Sequence, residues 1–122
     1  MTPLSPADQL FLWLEKRQQP MHVGGLMLFS YPENAGAKYV SELAESLRAF
    51  QSPEAPFNKR LKTRFGQNYW EVDKQFDLEH HFRHEALPKP GRIRELLALV
   101  SAEHSNLMDR KRPLWECHLI EG

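Results

Sequence analysis

The chain has 122 residues, of which 41% are hydrophobic and 26% are charged, and its 16 Lys and Arg residues balance 16 Asp and Glu residues. This composition fits one globular domain or part of one and argues against a disordered chain. The charge balance also argues against a nucleic-acid-binding protein, which usually carries a basic excess.

Cys117 is the single cysteine, so no intrachain disulfide can form. A reducing cytoplasm is therefore the expected compartment. The first residues lack the basic and apolar regions of a secretory signal. The longest compact apolar run, residues 23–29, is too short to cross a bilayer, which leaves contact with a membrane surface open.

The first predicted element is a helix that begins after Ser5. Ser5 is a good N-cap, Pro6 suits the first helical position, and Asp8 favours the positive end of the helix dipole. An amphipathic stripe at helical spacing follows, made by Ala7, Leu10, Phe11 and Leu14.

A nearly continuous apolar run at residues 21–29 predicts a strand buried on both faces. Gly24 and Gly25 interrupt it. Glycines inside a strand mark a bulge or tight packing, or the close approach of a ligand or another backbone. Both interpretations stay open, with packing the more common.

The remaining elements alternate in type. A helix is predicted at residues 38–51, followed by a basic loop at 58–66 that could contain some extended structure. Strands are predicted at 68–72 and 76–84, a rigid Pro-rich connector at 87–91, and a long helix at 92–108. Helices that alternate with strands predict an α/β layered fold. The basic loop is expected to be solvated, although it could attract the phosphates of a nucleotide-type cofactor.

Three histidines lie close together at His80, His81 and His84. Neighbouring residues in a strand point to opposite faces, so His80 and His81 cannot bind one ion together. We therefore expect no metal site here, and a polar, partly exposed strand instead.

The last stretch is a basic turn, a proline and a two-faced strand. Cys117 alternates with His118, which predicts a small core cysteine beside Trp115 and Leu119 and no Cys/His nucleophile pair. Glu116 and His118 share a face and could form a hydrogen bond that is structural or tunes a pKa.

Two stretches carry a resemblance to a known family: residues 3–15 with 20–26, and residues 87–91 with 107–116. Both closely resemble the bacterial wax ester synthase/diacylglycerol acyltransferases, and the triplet Pro113-Leu114-Trp115 matches a motif of that family. The likeness runs through essentially the whole chain in the right order.

The resemblance implies a fold and an activity. The fold would be part of an N-terminal chloramphenicol-acetyltransferase-like domain, a mixed sheet with helices packed on it. The activity would be transfer of a fatty acyl group from acyl-CoA, as co-substrate with no permanently bound cofactor, to a long-chain alcohol or to diacylglycerol. The family's base is the second histidine of a His-His-x-x-x-Asp-Gly motif, a residue type suited to proton transfer near neutral pH.

Residues 1–122 are expected to form an incomplete part of that domain, inactive alone, with the catalytic motif beyond Gly122. His80-His81 is no substitute, because no Asp-Gly follows it. No catalytic residue is therefore carried over. Pro113, Leu114 and Trp115 are expected to be architectural.

Four residues could border the acyl or alcohol channel, although core packing is the more common role of such an apolar pattern: Val23, Gly24, Gly25 and Leu26. The expected partners are the remainder of the same polypeptide, bound non-covalently if cleaved, and the acyl-CoA, fatty alcohol or diacylglycerol. Peripheral contact with the inner membrane or lipid inclusions stays open. The alternative function is a non-catalytic lipid-binding or interaction module.

Overall fold

The computed structural model describes residues 2–122, and this part of the chain has a mixed α/β architecture. The fold class predicted from the sequence is confirmed. In chain order, the elements are β1 (Thr2–Pro3), α1 (Pro6–Leu14), α2 (Tyr39–Arg48), β2 (Lys59–Arg64), β3 (Gln67–Val72), a 3-10 turn (Leu78–His80), β4 (Phe82–Ala86), α3 (Ile93–His104) and β5 (Cys117–Glu121).

Helix α1 begins as predicted. Ser5 is the N-cap in an extended conformation, and its side-chain oxygen accepts a hydrogen bond of 3.2 Å from the amide of Asp8. Pro6 occupies the first turn, where its missing N–H costs no intrahelical bond. The cap fixes the start of the helix because it satisfies an amide that the helix itself leaves free.

The first sheet is antiparallel with the strand order β1, β3, β2. Strand β2 lies within the predicted basic loop, where the extended structure that the sequence left open is confirmed. A two-residue turn joins β2 to β3, and both Phe65 and Gly66 have positive φ, 53° and 77°. Such a turn matches the twist of a hairpin and therefore forces the basic stretch into register with β3. On β2, Arg60 pairs with Glu71 of β3 at 3.6 Å.

The second sheet consists of β4 and β5, which pair in parallel from Phe82 opposite Cys117 to Ala86 opposite Glu121. Parallel neighbours need a long crossover, and α3 lies in that connection. The predicted strand at 76–84 is only partly correct, because the 3-10 turn precedes the strand. Helix α3 ends four residues earlier than predicted, where the hydroxyl of Ser105 donates to the carbonyl of Ser101 at 2.7 Å.

The core lies against the β4–β5 sheet. Ala44 of α2, Leu78 and Phe82 form a buried cluster, and three partly buried side chains pack on it: Phe76, Trp115 and Leu119. These residues come from α2, the 3-10 turn with the loop before it, and both strands. Packing at this cluster therefore joins α2 to the parallel pair.

The buried strand predicted at residues 21–29 is not formed. This stretch has no regular secondary structure, and Val23 is 92% exposed while Phe29 is 85% exposed. A strand is stable only when its backbone pairs with another. Within residues 2–122 none of the strands pairs with this stretch, so its apolar pattern predicted burial without supplying a partner.

In the part of the chain that the structure describes, the helices are too short and too polar to cross a membrane.

Replacing the cap of α1 tests the origin of this helix. We expect Ser5→Ala to lower the free energy of unfolding by about 1 kcal/mol, because the amide of Asp8 loses its acceptor. Ser5→Gly should cost only a few tenths of a kcal/mol. Denaturant unfolding measures both, and equal losses for the two variants would contradict the capping account.

Candidate functional site

The triplet Pro113-Leu114-Trp115 lies immediately before β5, in the part of the chain that returns from α3. Pro113 is buried, and its carbonyl accepts a 3.0 Å hydrogen bond from the amide of Trp115. The indole Nε1 of Trp115 donates to the carbonyl of Phe57 at 2.8 Å. The triplet thus ties the start of β5 to the loop before β2.

The ring of Trp115 is one layer of an aromatic stack. Its centroid lies 4.7 Å from that of His81, at an interplanar angle of 20°, and His81 lies 5.0 Å from Phe76 at 8°. Phe57 meets Trp115 edge to face at 5.9 Å. Offset and edge-to-face contacts of this kind stabilise aromatic pairs beyond the area that they bury.

His81 is structural, contrary to the expectation of a partly exposed histidine. It is only 3% exposed, and its Nδ1–H donates to the carbonyl of Trp115 at 2.8 Å. The carbonyl of His81 in turn accepts the amide of Cys117 at 2.7 Å. These bonds run between the turn before β4 and the start of β5, so His81 sets how the two strands begin.

The other two histidines of this group lie apart from it. His80 is on the 3-10 turn with Nε2 3.6 Å from a carboxylate oxygen of Asp77. His84 is on β4 with Nε2 3.6 Å from a carboxylate oxygen of Glu121. The structure therefore gives His80, His81 and His84 three different environments.

A second cluster surrounds His118 on β5. Its Nδ1 lies 2.5 Å from a carboxylate oxygen of Glu85 on β4, and its Nε2 lies 3.1 Å from Glu116. The hydrogen bond between Glu116 and His118 that the sequence suggested is confirmed. Glu103 of α3 also approaches, and donor atoms of Glu85, Glu103 and His118 all lie within 4.8 Å of one another. We call these four residues the His118 cluster.

The environment of His118 favours its charged form. Burial disfavours the imidazolium, and this is the largest single effect. The hydrogen bonds with Glu85 and Glu116 act the other way, and the negative charges of Glu85 and Glu103 add to them. The net result is that the pKa of His118 is raised above its ordinary value near 6.5.

Glu85, Glu103 and His118 are also the residues in residues 2–122 with the donor types and proximity to hold a metal ion. Ligands about 2.0–2.2 Å from a zinc ion lie roughly 3 Å or more apart. The 2.5 Å contact between His118 and Glu85 is instead the length of a strong hydrogen bond. A hydrogen bond accounts for the distance between His118 and Glu85.

Cys117 is exposed, so the prediction of a small core cysteine is wrong. Its register partner on β4 is Phe82, which packs into the core. Period-two alternation identifies the two faces of a strand but does not say which neighbours cover each position.

The stretch with Gly24 and Gly25 lies beside the end of α3. The ring of His22 packs edge to face on His104, and its Nε2 contacts the carbonyl of His104 at 2.8 Å. A Cβ added at Gly24 would lie 3.3 Å from Nδ1 of His104, whereas one at Gly25 would have no heavy atom within 4 Å. Gly24 is thus at a close approach, and Gly25 faces open space.

The start of this stretch, at Met21, is held by a contact that the sequence did not suggest. Glu15, just after α1, accepts a 3.1 Å hydrogen bond from the amide of Met21, and its other oxygen accepts from Arg110 at 3.2 Å. Arg110 also donates to the carbonyl of Leu12 at 2.9 Å. In the sequence, only the basic group at 110–112 pointed to an ion pair here. Arg110 and its partner Glu15 are 95 residues apart in the chain.

Comparison with known proteins gives a consistent result. The family model of the wax ester synthase/diacylglycerol acyltransferase catalytic domain matches residues 4–122. The chain is 56% identical over 123 residues to the O-acyltransferase WSD of Acinetobacter baylyi. This alignment covers 100% of this chain and 26% of that protein. It is 45% identical over 125 residues to a probable diacylglycerol O-acyltransferase of Mycobacterium tuberculosis, with coverages of 100% and 28%.

A solved structure matches as well. The wax ester synthase/diacylglycerol acyltransferase from Marinobacter aquaeolei VT8 superimposes with a TM-score of 0.97 and 70% sequence identity, over 100% of this chain and 30% of that one. The chain therefore spans between a quarter and a third of the length of these proteins.

The aromatic stack yields a direct test. We expect Trp115→Ala to lower the free energy of unfolding by about 3 kcal/mol, because a large side chain packed on the core is lost. Trp115→Phe keeps a ring in the stack but loses the hydrogen bond to Phe57, and should cost about 1 kcal/mol more than a pure volume change. Urea unfolding compares the two variants. A loss near zero for Trp115→Ala would contradict the stack's structural role.

Proposed function

The chain belongs to the wax ester synthase/diacylglycerol acyltransferase catalytic-domain family, and from this premise we propose that it works as part of a longer acyltransferase. That protein moves a fatty acyl group from acyl-CoA to a long-chain alcohol or to diacylglycerol. The names of the matched relatives support both acceptor classes. We propose that the reaction takes place in the cytoplasm, with peripheral contact at the inner membrane or lipid inclusions.

In this proposal residues 1–122 are scaffold, and the catalytic His-His-x-x-x-Asp-Gly motif belongs to the remainder of the polypeptide. Two of the six histidines, His81 and His118, support this division. A general base needs a free nitrogen that can accept a proton. His81 is buried in the aromatic stack. His118 has a carboxylate at each ring nitrogen and favours the protonated form, which cannot accept a further proton.

The observation that carries the proposal is the exposed apolar stretch at residues 21–29. Val23 and Phe29 are almost fully exposed, and Met27 and Leu28 are largely so. Apolar residues grouped in this way are normally covered in a folded protein. Since the matched proteins are more than three times as long, the remainder of the polypeptide is the cover that we propose.

We also propose that Val23, Gly24, Gly25 and Leu26 border the channel for the acyl chain or the alcohol. Gly25 faces open space, and Val23 projects into solvent from a stretch held at Met21 and His22. Held at one end and open along the rest, the stretch can form one wall of an apolar channel once a second wall is present. Pro113, Leu114 and Trp115 are proposed as architectural residues, consistent with their place between the core and β5.

A second candidate function is a lipid-binding or interaction module without catalysis. The exposed apolar stretch favours it, because such a surface could bind a fatty chain directly. The two functions differ in whether acyl transfer depends on this segment.

A segment exchange tests the proposed function. The Marinobacter aquaeolei enzyme, with its matching 30% replaced by this chain, should make wax esters from acyl-CoA and fatty alcohol, because the two segments share one fold. The 122-residue chain alone should show no transfer. An inactive but folded exchange enzyme would contradict the acyltransferase proposal, and tight fatty-acyl binding by the chain alone would favour the module.

Two glycines with open space around them give a matched pair for the channel. In the active exchange enzyme, we expect Gly25→Leu to shift the preferred acyl or alcohol chain length toward shorter substrates, since its side chain would enter open space. Gly36→Leu serves as the control, because a Cβ added at Gly36 also has no heavy atom within 4 Å and Gly36 lies outside the proposed channel wall. It should leave that preference unchanged. Product analysis by chain length decides, and an unchanged preference for Gly25→Leu would place Gly25 outside the channel.

A further inference from the structure

The His118 cluster brings together three elements that are distant in the sequence. Glu85 lies on β4, Glu103 on α3, and Glu116 with His118 at the start of β5. These are the three parts of the strand–helix–strand unit whose return strand is β5. His118 at the centre of the cluster hydrogen-bonds to Glu85 on β4 and lies within 4.8 Å of a carboxylate oxygen of Glu103 on α3.

The two hydrogen bonds of His118 to ionised carboxylates are made by a doubly protonated ring. A neutral imidazole offers one N–H donor and one acceptor nitrogen, whereas an ionised carboxylate only accepts. The two nitrogens of His118 each lie within hydrogen-bond distance of a carboxylate, Glu85 on one side and Glu116 on the other. Both hydrogen bonds form together only when the ring is an imidazolium or when one of the two carboxylates is protonated.

The charge balance in the cluster depends on the second ring proton of His118. Three carboxylates approach one imidazolium. Within residues 2–122, Glu85 and Glu116 form ion pairs with His118 and not with a Lys or Arg residue. Arg83, the register partner of His118 on β4, is exposed. Removing the proton would leave three facing carboxylates that repel one another.

We propose that His118 is a positioning residue of the acyltransferase: as an imidazolium it ties β5 to β4 and α3 and so holds the chain that follows β5 in its active position. This inference rests on the proposed function. It adds a second fixation of β5, three residues after Trp115 in the chain. Trp115 and His81 fix where the strand begins, and the His118 cluster fixes the strand against the helix.

The direction of the pH dependence follows from the raised pKa. A group whose pKa is higher in the folded protein stabilises it fully below the unfolded value, and this stabilisation is lost as pH rises through the folded value. For His118 the loss therefore begins above pH of about 6.5. Acyl transfer should decline on the alkaline side as the cluster loses its proton.

The experiment measures kcat against pH for the full-length polypeptide and its variants. We expect His118→Gln to be about tenfold slower than the unchanged protein at pH 6.5, since it loses hydrogen bonds between charged groups. It should also lose the alkaline decline, because an amide does not titrate in this range. His118→Lys keeps a positive charge to about pH 10. It should recover part of the rate and extend it to higher pH. Glu103→Gln removes one charge without removing a hydrogen bond, and should move the alkaline decline to lower pH.

His80→Gln is the matched control, because His80 is an exposed histidine outside the cluster, and it should leave the profile unchanged. An alkaline decline that is the same in the unchanged protein, His118→Gln and Glu103→Gln would overturn the proposal. If none of the proteins transfers acyl groups, the proposed function fails. The inference is then decided by amide hydrogen exchange, in which protection of β5 must fall with the titration of His118 in the unchanged protein and not in His118→Lys.

Discussion

The packing of Trp115 is the contact on which the rest of the structure depends. Its ring stacks on His81 and reaches Phe57 by a hydrogen bond, so that one side chain joins the loop before β2, the turn before β4 and the start of β5. A parallel pair of strands has no hairpin to set its register. The alignment of β5 with β4 must therefore be set by contacts made after α3 has crossed over. The stack, with the bond from the amide of Cys117 to His81, is placed to do this. A proline before Trp115 then ends the return loop at a defined point.

Local features of this fold could be predicted from sequence because their causes are local. Ser5 and Pro6 start α1 through groups within one turn of each other. Helix α2 and strand β3 were likewise predicted from their own residues, without a distant partner. Extended structure at β2 was left open but not preferred, because its basic residues suggested a solvated loop. The two-residue turn at Phe65 and Gly66 decides the structure. The Phe-Gly pair was the available sign of a hairpin.

The site depended on partners far away in the chain, and there sequence reasoning was weaker. The contact between Glu116 and His118 was foreseen because the two residues are neighbours on one strand face. Glu85 and Glu103 were not, since only the crossover of α3 brings them to His118. His81 was expected to be partly exposed because no residue near it in the sequence indicates that Trp115 stacks on its ring. The prediction of a buried strand at 21–29 was wrong because no partner for it lies among residues 2–122. Its apolar pattern predicted burial without showing what would cover it.

The central claim is that this chain is a scaffold whose apolar stretch is completed by the rest of an acyltransferase. Hydrogen–deuterium exchange on the full-length polypeptide tests it most directly, because the stretch at 21–29 has no strand partner in the described chain. The account predicts that these amides exchange slowly, as in regular, covered structure. Exchange at the rate of an unstructured peptide, in an enzyme that is folded and active, would contradict it.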